Sequence, residues 1–390
     1  MERFGDLERK YLLEVLKNGF RTSLNNIFCS KMERLFADLH NVRYAISHAN
    51  GTQTIHTALA SLGVKSGDEV IVPPLTMAST SIAVLHNGSL PVFADVDVDT
   101  FNIDPNSIRS RITPKSKAVI SVSLYGLPPN YDEIKKVCDE EGLFLIEDNA
   151  EALFAEYKGK RIGIFGNFAS FSFQASKHIT CGEGGMLVTN DQMLADRARR
   201  FSSLGYAEVS PAQGKISKDD IQNPNYDRHV TIGYNYRMSE LNAAVILGQL
   251  ERVDELVNQR IHVAKLFDEV LDNQSLLKKQ LVPPGYKHTY WSYSVVLDTE
   301  NPQTDWYRFR ELFKRNGGDS FYAAWKLNYF EPLFANTVQH WNRVWQEYKA
   351  GLCPNAEYLQ PRLIQLKTNY WNLSEAENQA EILYKTIKQF

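Results

Sequence analysis

Apolar positions in the first 250 residues follow two rhythms that take turns along the chain. Leu7, Tyr11, Leu12, Val15 and Leu16 recur at helical spacing, and Gly19 supplies a stop, so a helix is predicted from Asp6 to Asn18. A second is predicted from Ser30 to His40. Short β-branched or apolar runs then alternate with helical stretches. Strands are predicted at Tyr44–Ile46, Glu69–Val72, Pro91–Asp95, Ala118–Val122 and Leu143–Ile146, with helices at Thr52–Leu62, Ala78–His86 and Asp132–Glu141 between them. Alternation of this kind predicts an α/β architecture, with parallel strands joined by right-handed crossovers and helices on both faces.

Beyond this region the rhythm changes. Two helical patterns run nearly end to end from Met238 to Leu271, and one strand-like run follows at Tyr293–Leu297. An amphipathic helix beginning near Glu375 closes the chain. A boundary near residue 255 is therefore expected, dividing a large domain (residues 1–254) from a smaller α+β domain (residues 255–390).

Composition narrows the function. The 390 residues carry 43 Lys and Arg against 46 Asp and Glu, a net charge of −3, which gives no global pull toward nucleic acid or an anionic membrane. No apolar run approaches the ~20 residues needed to span a bilayer. The first six residues lack the basic and apolar regions of a signal peptide. Cys29, Cys138, Cys181 and Cys353 are scattered singly, as reduced thiols of a cytoplasmic protein would be, and no metal site is expected.

In parallel sheets, ligands gather at the carboxyl ends of strands. Directly after Ile146 stand Glu147 and Asp148, followed by Glu151. Further on, Ser170-Phe171-Ser172-Phe173 alternates like a strand and leads to a lone Lys177 before Gly182-Glu183-Gly184-Gly185. A desolvated lysine amine is a nucleophile suited to a carbonyl. Asn50-Gly51-Thr52 falls between a strand and a helix, where helix-start N–H groups and the Thr52 hydroxyl suit a phosphate. A phosphate cradle, a strand-end aspartate and a lysine together match the needs of pyridoxal phosphate: an amine for its aldehyde, a carboxylate for its ring nitrogen, and donors for its phosphate.

These motifs, with Gly67-Asp68-Glu69-Val70-Ile71-Val72-Pro73, Gly233-Tyr234-Asn235-Tyr236-Arg237-Met238 and Cys353-Pro354-Asn355-Ala356-Glu357 in the same order, resemble the DegT/StrS aminotransferases, which aminate keto-sugars on nucleotide carriers. The resemblance implies the type I fold of pyridoxal-phosphate enzymes: a mainly parallel seven-stranded sheet flanked by helices, with a smaller C-terminal domain. It also implies a homodimer with shared active sites. Lys177 matches the lysine that carries the aldehyde, and Asp148 matches the partner of the pyridine nitrogen. Gly51, Thr52 and Ser172 match phosphate contacts, and Asn235 matches a phosphate contact reaching over from the neighbouring subunit. Glu151 stands where relatives carry Gln, His or Glu near the cofactor's 3-hydroxyl. Arg237 is open to two readings, a carboxylate contact or a structural ion pair.

Three positions depart from the family pattern. Met77 replaces an aromatic residue expected against the cofactor ring, where a thioether still packs on an aromatic face. His178 replaces a common Asn beside the lysine; Lys177, five residues after Ser172 and five before Gly182, keeps the catalytic register. From Tyr322 to Pro332 a Tyr-x-Pro-Leu-His pattern is expected, and its histidine is absent. The expected reaction moves an amino group from an amino acid, L-glutamate by resemblance, to a keto-sugar for lipopolysaccharide, capsule or a glycosylated metabolite. A keto-cyclitol or other small-ketone aminotransferase is the alternative, followed by a sugar dehydratase or a non-enzymatic sensor on the same fold.

Overall fold

The computed structural model describes residues 2–20, 26–207, 219, 222–272, 274–334 and 348–390. Its strands are β1 (Tyr44–His48), β2 (Glu69–Val72), β3 (Leu90–Phe93), β4 (Ser116–Val122), β5 (Phe144–Asp148), a small hairpin of β6 (Glu156–Tyr157) and β7 (Lys160–Arg161), then β8 (Phe168–Ser172) and β9 (Gly185–Thr189). Seven of these make one sheet of order β1-β9-β8-β5-β4-β2-β3. The pairs from β3 across to β8 are parallel, as the alternation predicts, whereas β9 runs antiparallel to both β8 and β1. The sheet is thus mixed, with a parallel majority.

Apolar residues on both faces explain why its central strands read as unbroken runs: Val70, Ile120 and Ile146 pack into one cluster, and Ile71, Val119 and Leu145 into another on the opposite side. The helices fall close to their predicted positions, with one instructive shift. The second helix begins at Phe28, two residues before the expected start. Its first turn is capped from afar: the buried Glu240 carboxylate accepts from the backbone N–H groups of Ile27, Phe28 and Cys29 at 3.0, 2.9 and 3.0 Å. A carboxylate there satisfies orphan donors and suits the positive end of the helix dipole, and no local residue announces it.

A second sheet uses β10 (Leu277–Lys279), β11 (Ser292–Leu297), β12 (Tyr322–Ala323) and β13 (Leu363–Lys367) in the order β10-β11-β13-β12, all pairs antiparallel. Helices Val253–Leu271, Pro302–Arg315 and Leu373–Gln389 share a core with it that includes Phe267, Phe309, Val295 and Leu383. Asn328 ties the segment after β12 to the first sheet. It is fully buried, its N–H donates to the Pro74 carbonyl at 3.0 Å, and its amide donates to the Thr76 carbonyl at 2.7 Å.

Candidate active site

The two acids at the end of β5 face opposite ways because successive strand residues alternate. Glu147 accepts from the N–H groups of Gly163, Phe165 and Gly166 at 2.7, 2.7 and 2.8 Å and braces that loop. Asp148 points into a cavity of about 760 Å³ lined by Gly51, Thr52, Met77, Glu151, Ser172 and Lys177 among others. Its Oδ2 accepts from the Thr80 hydroxyl at 2.8 Å and its Oδ1 from the Ala150 N–H at 3.3 Å. Burial lifts the Asp148 carboxyl above the usual carboxylate range, which the Thr80 hydrogen bond and the Lys177 charge partly counter. No lysine, arginine or histidine lies within ion-pair distance of it among the described residues. A buried carboxylate with no ion-pair partner facing a cavity is a site for a cationic or N–H-bearing ring.

Across the cavity, helix Gly51–Ser61 begins against β8. Asn50 caps it, accepting from the Gln53 N–H at 3.0 Å. A Cβ on Gly51 would come within 3.1 Å of the Ser172 Cβ, and one on Gly185 within 2.6 Å of the Asn50 backbone. Two glycines therefore let the helix start, the Ser172 hydroxyl and the turn into β9 come together, the arrangement an anion requires.

Lys177 lies in the loop after β8. Its Nζ is 3.3 Å from Glu151 Oε1 and 4.4 Å from the centroid of the Trp291 ring. Glu151 also accepts from the Tyr125 N–H at 3.0 Å. Burial raises the Glu151 carboxyl, and the Lys177 ammonium pulls it back. The backbone of the lysine is anchored separately: Arg260 donates to the Ser176 and Lys177 carbonyls at 2.9 and 3.2 Å, and Arg3 to the Ala175 and Lys177 carbonyls at 2.7 and 2.9 Å. His178 turns away, its Nε2 sitting 2.9 Å from the Thr289 carbonyl. Burial, with the Arg260 charge nearby, pushes its pKa well below the histidine range, so it is neutral.

Seven of the eight expected residues therefore share one cavity; Met77 is half-exposed on its wall. Asn235 is the exception. Within the chain it is exposed, bridged by backbone to Ser203, and does not line the cavity. Arg237 does not line it either and lies 5.9 Å from the Tyr206 ring. Thr80, Trp291 and Arg260 carry no motif that marks them in the sequence, and Trp325 lies in the Tyr322–Pro332 segment noted above; folding brings them to the site, Arg260 from 84 and Trp291 from 115 residues away from Ser176. Together the residues present fit a phosphorylated aldehyde bearing a basic ring nitrogen.

Comparison with known proteins gives the same picture. A model of the DegT/DnrJ/EryC1/StrS aminotransferase family matches residues 3–383. The GDP-perosamine synthase of Escherichia coli O157:H7 is 37% identical over 292 residues, covering 75% of each chain. The L-glutamine:2-deoxy-scyllo-inosose aminotransferase of Streptomyces kanamyceticus is 33% identical over 311 residues, covering 79% of this chain and 70% of that one. Among solved structures, an aminotransferase from Psychrobacter cryohalolentis superposes with a TM-score of 0.87 at 27% identity, covering 99% of this chain and 98% of that one.

Proposed function

Because the chain belongs to the DegT/DnrJ/EryC1/StrS aminotransferase family, whose cofactor is pyridoxal 5'-phosphate, we propose that it transfers the amino group of L-glutamate to the ketone of a nucleotide-linked sugar. The observation that carries this reading is the meeting of Lys177, Asp148 and the Gly51–Ser172 cradle in one cavity. When bound, the cofactor supplies an aldehyde that exchanges amines and a ring that takes up the electrons of a deprotonated carbon.

The chain's own residues do the rest. Gly51, Thr52 and Ser172 would hold the phosphate. Asp148 would keep a proton on the ring nitrogen, and each pKa unit it adds there is worth ~1.4 kcal/mol. Glu151 lies beside Lys177 and would accept a hydrogen bond from the 3-hydroxyl. Lys177 is the one lysine or arginine among the described residues lining the cavity, so its Nζ would hold the aldehyde and move the proton at the reacting carbon. At rest its Nζ lies between the Glu151 carboxylate and the Trp291 face.

The shared-site homodimer belongs to the same proposal. Asn235 is exposed within its own chain and would reach the partner's phosphate site. Val230, Ile232 and Tyr234 beside it are 50, 83 and 42% exposed, apolar surface suited to a subunit contact. Residues 1–254 would form the cofactor domain and 255–390 the smaller one, consistent with their separate sheets. A cytoplasmic location fits the four free cysteines, three of them buried. No helix among the described residues is long and apolar enough to cross a membrane.

A keto-cyclitol acceptor is the second reading, favoured by the 33% identity to the scyllo-inosose aminotransferase. Cofactor absorbance read with L-glutamate, L-glutamine and then a panel of nucleotide-linked 4-keto and 3-keto sugars and keto-cyclitols tests both. Failure of every amino donor to change the absorbance would end the aminotransferase reading.

A further inference from the structure

Three aromatic rings form one wall over the lysine. Trp291 and Trp325 stack with centroids 5.7 Å apart and planes 20° apart. Tyr125, fully buried, lies 6.5 Å from Trp291 at 10° and 6.3 Å from Trp325 at 28°. The Trp291 ring is anchored by its own N–H, and the backbone beyond Trp325 is anchored nearby. The Trp291 indole N–H donates to the Ser176 carbonyl at 3.1 Å. Trp325 lies three residues before Asn328, whose amide is locked to Thr76 and whose Oδ1 accepts from the Ser81 hydroxyl at 2.7 Å. Both tryptophans are only partly buried, and both line the cavity that holds Lys177. They also line a side pocket of about 400 Å³ that includes Gln365 and Asn369.

A rigid, uncharged aromatic shelf is poor ground for an ionised or strongly solvated chain and good ground for an apolar face. A saturated six-membered ring bearing hydroxyls on its rim offers such a face: its C–H bonds, polarised by neighbouring oxygens, meet the negative faces of the indoles. The adjoining pocket, with its amide side chains, has room for a substituent on that ring. Open-chain ketones have no comparable face.

We propose that Trp325, stacked on Trp291, determines specificity for the amino acceptor by holding the C–H face of a saturated six-membered ring ketone beside Lys177. The inference rests on the aminotransferase reading above and adds the residue that discriminates ring from open-chain acceptors. Keto-pyranoses and keto-cyclitols share this chemistry, so the test must separate them.

The test uses the holoenzyme in its aminated form, consumed by three acceptors: a nucleoside-diphosphate-linked keto-hexopyranose, a keto-cyclitol and 2-oxoglutarate. Whichever ring ketone the wild type uses identifies the source of the ring. Trp325→Ala should lower kcat/KM for that ring ketone at least about tenfold, mainly through KM, while 2-oxoglutarate changes by less than about threefold. Trp325→Phe should retain ring-ketone kcat/KM within about threefold, because a π face remains. Trp325→Leu keeps apolar bulk without that face and should behave like the alanine variant, which keeps the test open if the alanine variant folds poorly. Equal losses for ring and open-chain acceptors, or no loss, would overturn the assignment. Loss of the wild-type reaction with every amino donor would instead overturn the underlying aminotransferase reading, whereas a wild type that aminates no ring ketone but works with open-chain ones would overturn this inference and the sugar and cyclitol acceptors with it, leaving the aminotransferase reading in place.

Discussion

The Thr80 hydroxyl donates a 2.8 Å hydrogen bond to Asp148 Oδ2 inside the cavity, the one side-chain hydrogen bond that this buried carboxylate accepts among the described residues. It aims the carboxylate and helps to keep it ionised against the effect of burial. Asp148→Asn should leave the cofactor bound, since the Gly51–Ser172 cradle is untouched, yet slow the half-reaction with glutamate severely, tenfold for each ~1.4 kcal/mol of lost stabilisation. Thr80→Val should fall between wild type and Asp148→Asn. Rapid-mixing absorbance with glutamate measures both, and near-normal rates in Asp148→Asn would remove Asp148 from the mechanism.

The chain gives Lys177 and His178 opposite environments: one side chain in the cavity with a carboxylate and an indole, the other buried against the Thr289 carbonyl and neutral. Borohydride reduction of the holoenzyme should fix the cofactor to Lys177 alone, read by peptide mapping. Lys177→Ala should abolish that labelling and cut turnover by about 10²–10⁴-fold or more, the usual contribution of a positioned acid–base group. His178→Ala should keep the labelling and much of the activity. A label on any other lysine would break the register on which the site is built.

Asn235 and Lys177 supply the test of shared sites. A heterodimer of one chain carrying Asn235→Ala and one carrying Lys177→Ala contains, in the shared arrangement, one site with both residues intact. It should regain up to about half of the wild-type activity per dimer, whereas each homodimeric variant stays impaired. Verified heterodimers with no recovery would confine each site to one chain.

Much of this was legible in the sequence, and the remainder was hidden for identifiable reasons. The strand–helix alternation announced the parallel strands because buried strands are short apolar runs bounded by breaks. The antiparallel direction of β9 was not readable, since Gly185-Met186-Leu187-Val188-Thr189 is fully buried and would carry the same apolar run in either orientation. Lys177 and Asp148 were visible because their chemistry is unusual at strand ends. Arg260 was not: in sequence it is one charged residue in an amphipathic helix, and only folding carries it, buried, to the Ser176 and Lys177 carbonyls. Trp291 carries no signal in the sequence, and Trp325 only the altered Tyr322–Pro332 segment around it, until folding brings both rings over the cavity.

Arg260 therefore merits its own prediction. Burial lowers its pKa to about 9, yet it stays charged at neutral pH and donates to Trp291, Ser176 and Lys177 carbonyls and to the Thr368 hydroxyl. Arg260→Met would remove one donor from each of these groups, and although the Ser176, Lys177 and Trp291 carbonyls keep another, each lost bond to a charged donor is worth about 1.5–3 kcal/mol. We expect a total loss of about 3 kcal/mol or more in urea unfolding, together with weaker borohydride labelling of Lys177, whose backbone would lose one of its anchors. Arg260→Lys should recover part of the stability. An unchanged unfolding midpoint would show that Arg260 does not hold the loop.

The final prediction concerns acid. Burial lowers the pKa of His48 to about 4, while its ring nitrogens sit 3.0 Å from the Ile46 carbonyl and 3.0 Å from the Thr57 hydroxyl. The folded pKa is depressed, so between pH 6.5 and about 4 the unfolded chain binds a proton at this residue that the folded chain does not. Stability from this group is complete above pH 6.5 and falls as the pH drops toward 4, by at most about 1.4 kcal/mol per pH unit. His40, lowered to about 3 by burial, acts in the same direction. Glu147, Asp148 and Glu151 have raised pKa values and act in the opposite one, because there the folded state keeps the extra proton. The whole-protein slope mixes these signs, and a substitution separates them. His48→Gln, which cannot titrate, should be less stable than wild type at pH 7 because its hydrogen bonds are imperfectly replaced, but that difference should shrink as the pH falls from 6.5 to 4.5. Urea unfolding at half-unit pH steps measures it, and parallel curves for the two proteins would show that His48 is not held neutral by the fold.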